Sequence, residues 1–277
     1  MPPPILQSPL LLLLGVPHGF STRHGGVSSG AYASLNFGSP GNLPAEQRDP
    51  AVNIRRNWGV LIGAMAGTRP GAAGDLSARG LVEVHQVHGN GVCVVRNGSP
   101  APIDVDGHDV KADAIVTDDP RRLAAIRVAD CTPVLIASGD GRIVAAVHAG
   151  WRGVVGAIVA PTIFAMRELG ARPAAMAAAV GPCIGPDSFE VGPEVADEFH
   201  RVFGTRTPHV RAAGSTGKAL VDLKGALKEQ LIAAGLAPER VDVLPHCTMR
   251  EHADFFSHRR ERGVTGRMVG VIGPRAG

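Results

Sequence analysis

Short apolar runs recur along most of this chain, separated by turn-forming Gly, Pro and Asp residues. That is the pattern of buried strands bounded by turns. LVEVHQVHG starts by alternating, with Val82 and Val84 on one face. Val87 breaks the phase, which predicts a bend or bulge near Gln86. GVCVVR, ADAIVTD, LAAIRVADCTPVLIAS, GRIVAAVHAGWRG, AAMAAAVGPCIGP, VDVLPHC and RMVGVIG read as further strands. The run Leu10 to Leu14 is expected to be the first strand. Helical spacing appears over Asp49 to Met65, where Ile54, Trp58 and Leu61 share a face. It recurs in VVGAIVAPTIFAMRELG, where Gly170 is a stop and Pro161 predicts a kink or a late start. GPEVADEFHRVFG and DLKGALKEQLIAAGL are amphipathic helices, the second with Leu223, Leu227 and Leu231 in register. Pro17 to Gly41 reads as a loop built around turns, and AGTRPGAAGDLSARG as a flexible connection. Strands and helices interleave without regular βαβ units. The expected fold is therefore α+β, with mixed sheets packed together and flanked by helices in one domain over residues 1–277.

Composition narrows this picture. In a chain of 277 residues, 44% are hydrophobic and 19% charged, which supplies a core and excludes a disordered chain. With one Tyr and two Trp, the core must rest on Ala, Val, Leu and Ile. The net charge of +3 is too mild for a nucleic-acid partner, and the His258 to Arg262 cluster is punctuated by Glu261. The N-terminal apolar run is too short to span a bilayer and lacks a basic flank, so no membrane partner is expected. Four dispersed cysteines without a CxxC point to a reducing, cytoplasmic setting. Oligomeric state is not encoded in any pattern of this kind.

Three segments concentrate reactive side chains: HQVHG (His85, His88), ADCTP (Asp130, Cys131) and HAGWRG (His148, Trp151, Arg152). Each places a metal-capable group in or at the end of an apolar strand, where rigid elements present groups to a cleft. A soft thiolate with imidazoles suits zinc, and three protein ligands leave a position open for chemistry. His85 or Cys247 could add a fourth ligand and close the site. His85 and His88 are three apart, so an extended strand sends them to opposite faces and only one reaches the site.

HGFSTRHGGVSSGAYASLNFG, QVHG, ADAIVTD, ADCTPVLIA, AAVHAGWRG, GPCIGPDSFEVG and FFSHRRERGVTGRMVGVI follow one another from His18 to Ile272. Together they resemble the YfiH-like family, also called laccase-domain or multicopper polyphenol oxidase proteins. The resemblance implies a zinc enzyme acting on purine nucleosides, by phosphorolysis of adenosine, inosine or methylthioadenosine and by deamination of adenosine. It implies His88, Cys131 and His148 as the metal ligands, and a purine nucleoside and phosphate as the partners. Where the family often carries a second Cys after GPCIGP, this chain has Asp187, Ser188 and Phe189, and the family's Tyr in FFSYRR is His258. The segment between Gly41 and Asn57 also differs. These departures spare the metal set and bear on base or sugar preference.

Roles follow from chemistry. Zinc lowers the pKa of a bound water to about 7, which suits deamination at the purine C6. For phosphorolysis the nucleophile is already an anion, and cations must hold it. Arg23 in the Gly-rich loop is the first expected clamp and Arg152 the second, since guanidinium matches phosphate oxygens in a fork. Asp130 is expected to orient a ligand or accept a proton. Phe20, Phe255 and Phe256 are candidates for stacking a purine or for the core, and Cys247 for the core or the pocket. Arg259 and Arg260 are expected to face solvent or pair with carboxylates. Cu²⁺ is an alternative occupant by raw affinity, but 11 His and no HxH pair argue against laccase chemistry. Two other readings use the same residues: a Cys131–His148 thiol hydrolase, and a non-catalytic zinc module.

Overall fold

A computed structural model describes residues 3–41, 43–67, 79–99, 110–214 and 217–276. In chain order these form β1 (Ile5–Leu6), α1 (Pro9–Leu13), β2 (His18–Ser21), α2 (Ala51–Gly67), β3 (Gly80–Val82), β4 (Val92–Val95), β5 (Ala114–Thr117) and β6 (Arg122–Val128). Then come β7 (Thr132–Ala137), β8 (Val144–Ala149), α3 (Trp151–Val155), α4 (Val159–Glu168), β9 (Ala177–Val180), β10 (Glu190–Val191) and α5 (Pro193–Phe203). The chain closes with β11 (Val210–Ala212), β12 (Ala219–Val221), α6 (Leu223–Ala233), β13 (Val241–Val243) and β14 (Met268–Ile272).

Two mixed sheets dominate: one ordered β1-β2-β14-β6-β3, the other β13-β9-β7-β8-β5-β4. Alternation along the strands shows how they stack. In β6, Ala124, Ile126 and Val128 point into a core shared with Leu135 and Ala137 of β7 and Val144 and Ala146 of β8. This is the interface between the two sheets. The intervening Leu123 and Ala125, with Val269 and Val271 of β14, pack on Trp58, Leu61 and Met65 of α2. On the far side, Val134 and Ile136 of β7 meet Ile163 and Met166 of α4 and Leu223, Leu227 and Leu231 of α6. The order is helix, sheet, sheet, helices, which matches the mixed, helix-flanked sheets expected. Central strands are buried on both faces, which explains their near-continuous apolar runs. A third, three-stranded sheet, β10-β12-β11, lies beside α5.

Leu10 to Leu14 is not a strand. Pro9 stands in the first turn after Ser8, and the segment closes as the short helix α1. Pro is tolerated there because that N–H needs no intrahelical acceptor. Leu11 is fully buried while Leu13 is 82% exposed, so the run is one-sided rather than a core strand. Pro161 marks a late start: α3 ends at Val155 and α4 begins at Val159. His18 to Ser21, within the expected loop, pairs with β14 as β2. The flexible connection expected between Ala66 and Gly80 lies largely outside the described residues. Among the described residues no helix is long and apolar enough to cross a membrane.

Candidate active site

The site forms where three chain segments converge at strand ends. Register pairs Pro133 with His148 and Thr132 with Ala149 across β7 and β8. Cys131 stands just before β7 and His148 near the end of β8, so the thiol and imidazole become neighbours. His88 arrives from the turn after β3. The candidate ligand atoms of His88, Cys131 and His148 lie within 4.8 Å of one another, and the two imidazoles meet edge to face at 4.8 Å between centroids. Gly150 lets the backbone approach this closely: a Cβ there would stand 3.0 Å from the Cys131 Sγ and 3.2 Å from His88 Cδ2.

Asp113, at the entry to β5 and fully buried, organises the cluster. Its Oδ1 accepts from His148 Nδ1 at 2.8 Å and from the His88 N–H at 2.9 Å, and its Oδ2 accepts from the Gly89 N–H at 2.7 Å. These bonds hold the turn that carries His88, whose φ of 60° is an unfavoured left-handed conformation for a side chain of this size. With Nδ1 donating to Asp113, Nε2 is the His148 nitrogen left to face a metal, giving up its proton when an ion binds. Burial pushes the Asp113 carboxyl up, but the His148 hydrogen bond and the backbone donors outweigh it and its pKa falls. Burial likewise pushes the Cys131 thiol up. The His148 charge, with hydrogen bonds to His148 and His88, brings it well below the usual thiol value. A thiolate and two imidazoles, held by a buried carboxylate, are a donor set that fits zinc. Among the described residues no fourth His, Cys, Asp or Glu joins this group.

The cluster opens into a cleft of about 590 Å³, lined among others by Gly38 to Gly41, Trp151 and Phe189, and by Arg127, Arg152, Arg259 and Arg267. The volume is within the range of small-molecule sites. Arg152 lies with its guanidinium 4.3 Å from the Trp151 ring, and Arg259 lies 5.5 Å from Phe189 while donating to the Glu190 carbonyl. Arg259 therefore belongs to the cleft. Arg260 is committed to carbonyls of Thr248 and Phe255 and to Glu261.

Asp130 lines the cleft but is not presented as a base. It does not follow strand geometry, since its φ is 80°. Its carboxylate accepts from Thr248 Oγ1, Ser257 Oγ and the Arg259 N–H, pinning the 248–259 segment beside Cys131. Arg23, the first expected clamp, is not among the cleft-lining residues. It donates to the carbonyls of Ala33 and His252, stacks 4.5 Å from Phe256 and sits 3.5 Å from Glu261. Phe20, Phe255 and Phe256 are buried core side chains, so the aromatic surfaces facing the cleft are Trp151 and Phe189. His85 lines the cleft outside the metal cluster, and its backbone makes an isolated bridge to Lys111. Cys247 is a buried free thiol whose backbone pairs with that of Cys183 and whose sulfur accepts from the Gly185 N–H. His258 stands at the cleft rim, where desolvation and then the Arg267 charge lower its pKa. β3 ends at Val82 and the chain bends at His88 and Gly89, just beyond the position expected, while the Gln86 side-chain amide pairs with both backbone groups of Arg127.

Asp113, Arg127 and Arg267 stand outside the site residues that the sequence marks. The signal for Asp113 was a charge inside an apolar strand, which is rarely buried without a task.

A family model described as multi-copper polyphenol oxidoreductase laccase matches residues 17–275. The chain is 38% identical to a purine nucleoside phosphorylase of Deinococcus radiodurans, over 98% of this chain and 92% of that protein. It is 36% identical to adenosine deaminase RL5 of an unknown prokaryotic organism, over 65% of this chain and 70% of that protein. The crystal structure of the Bacillus licheniformis hypothetical protein YfiH superposes with a TM-score of 0.81 at 28% identity, covering 99% of this chain and 97% of that one.

Proposed function

Because the chain belongs to the multi-copper polyphenol oxidoreductase laccase family, with YfiH-type purine nucleoside phosphorylases as its relatives, we propose that it is a zinc-dependent purine nucleoside enzyme. Its reactions are phosphorolysis of adenosine, inosine or methylthioadenosine and deamination of adenosine. In the first, a phosphate oxygen bonds to the ribose C1′ as the C1′–N9 bond breaks, giving the free base and ribose 1-phosphate. In the second, water replaces the C6 amino group, giving inosine and ammonia. The observation that carries this reading is the convergence of His88, Cys131 and His148 on the floor of a cleft rich in arginine.

His88, Cys131 and His148 would hold the metal. A bound Zn²⁺ supplies Lewis acidity for activating water or a substrate heteroatom. Asp113 fixes the His148 tautomer and the His88 turn. Trp151 and Phe189 offer apolar faces to the purine ring. Arg152, beside the metal ligands, faces the substrate as a cation, and Asp130 holds the wall that carries Arg259. Copper has the higher raw affinity for such donors. A blue-copper centre with a trinuclear cluster needs many more imidazoles than this one group among the described residues supplies.

The lowered Cys131 pKa beside His148 also favours a second reading, a thiol nucleophile with an imidazole base. Zinc analysis with chelation separates the two. Under the zinc reading, purified protein carries about one zinc per chain. Release of hypoxanthine from inosine and phosphate then stops on chelation and returns with zinc. Undiminished turnover in metal-free protein would support the thiol reading instead.

A further inference from the structure

We propose that the cleft contains a dedicated phosphate-oxyanion subsite between Arg127 and Arg267, over the backbone at Gly38. This deepens the nucleoside reading, on which it rests for its role but not for its detection.

The two arginines come from neighbouring strands. Arg127 of β6 is the register partner of Val269, and Arg267 immediately precedes β14. Both reach the same cleft wall. Their stems converge on one point: a Cβ at Gly38 would lie 3.2 Å from Arg127 Cδ, 3.6 Å from Arg127 Nη1 and 3.5 Å from Arg267 Cγ. Both arginines are half-buried, and their like charges repel: after burial, the Arg127 charge is among the causes that lower the Arg267 pKa. Arg127 has Glu83 at 3.5 Å. Arg267 forms no ion pair with a carboxylate among the described residues; its Nη1 donates to the carbonyls of Thr265 and Gly266. An oxyanion between the two would offset the repulsion and accept from the Arg127 Nη groups and from the Arg267 N–H groups that the Thr265 and Gly266 carbonyls leave free.

The rest of the cleft leaves this role to them. Among the described residues, Asp130 is the only carboxylate in its lining, and it is occupied by three protein donors. Arg152 and Arg259 accompany the aromatic faces of Trp151 and Phe189, which suits the base. The subsite is also built rather than incidental. Buried Asn36 accepts on its Oδ1 from the Gly38 N–H at 3.0 Å and from the Arg267 N–H at 2.8 Å. Its amide donates to buried Asp49. Asn36 is thus a positioning residue that locks the Gly38 turn to Arg267.

The test is calorimetric titration of the purified full chain with inorganic phosphate and, separately, with adenosine 5′-monophosphate. Arg127→Gln and Arg267→Gln should each weaken phosphate binding at least about tenfold, while surface Arg201→Gln should not. If Arg267→Gln fails to fold, Arg267→Lys, which keeps the charge and loses the fork, should give an intermediate loss. Binding of the monophosphate alone, lost in the same variants, would keep the subsite and assign it to a phosphate carried by the substrate. Wild-type affinity in the arginine variants, or no binding of either probe at millimolar concentration, would overturn the proposal. Nucleoside turnover with an unchanged phosphate KM in the variants would sink the subsite alone. Phosphate binding that depends on both arginines, without any nucleoside turnover, would sink the nucleoside reading alone.

Discussion

The carboxylate of Asp113 lies 2.8 Å from Nδ1 of His148, and both side chains are buried. The same carboxylate receives the backbone N–H of His88, so one residue sets two of the three metal-capable groups. Asp113→Asn should therefore weaken zinc binding by roughly 10- to 100-fold, the usual cost of losing a partner behind a ligating histidine. Competition against a zinc-chelating dye measures this. Asp113→Ala should also lower folding stability by about 1–3 kcal/mol, because buried N–H groups lose their acceptor. Unchanged zinc affinity in both variants would remove Asp113 from the account.

His18 makes stability depend on pH. It is fully buried, its Nε2 accepts from the Ser8 N–H, and its Nδ1 faces the Val16 carbonyl. A backbone N–H can only donate, so Nε2 must stay unprotonated and the ring neutral. Burial, partly countered by the Val16 carbonyl, lowers its pKa to about 4. The folded pKa lies below the unfolded value near 6.5, so the unfolded state takes up the proton first. The contribution is complete above about pH 6.5 and is lost progressively as pH falls towards 4, amounting to roughly 3 kcal/mol. Urea denaturation at pH 7.5, 6 and 5 reads this slope. His18→Gln should flatten it, and an equal slope in that variant would assign the loss to other groups.

Trp151 tests the orientation of substrate in the cleft. Trp151→Ala removes the aromatic face beside Arg152 and should raise the nucleoside KM by about tenfold, on the scale of a lost base-stacking contact. The zinc content should stay that of the wild type. A normal KM would place the base against another wall.

His88, Cys131 and His148 were legible through the resemblance of QVHG, DCTP and HAGWRG to family motifs; strand-end position alone left His85 and Cys247 open, because a buried thiol is more often core packing. The layers were legible as well, since the central strands are long apolar runs. Leu10 to Leu14 misled because a short apolar run has no resolvable period; Ser8 and Pro9 were the overlooked start signal. Arg23 misled for a different reason. Its partners Phe256 and Glu261 come from the far end of the chain, and only the fold shows that its guanidinium is spent on them. Arg127 and Arg267 were invisible for the same cause: they meet through the pairing of β6 with β14 and the absence of a side chain at Gly38.

The measurement that tests the central claim most directly is separation of products after the zinc-loaded protein is incubated with adenosine, with and without phosphate, beside a Cys131→Ala control. Phosphate-dependent adenine, or phosphate-independent inosine, absent in the control, is the predicted result. No product from adenosine, nor from inosine or methylthioadenosine, by protein carrying its zinc would contradict it.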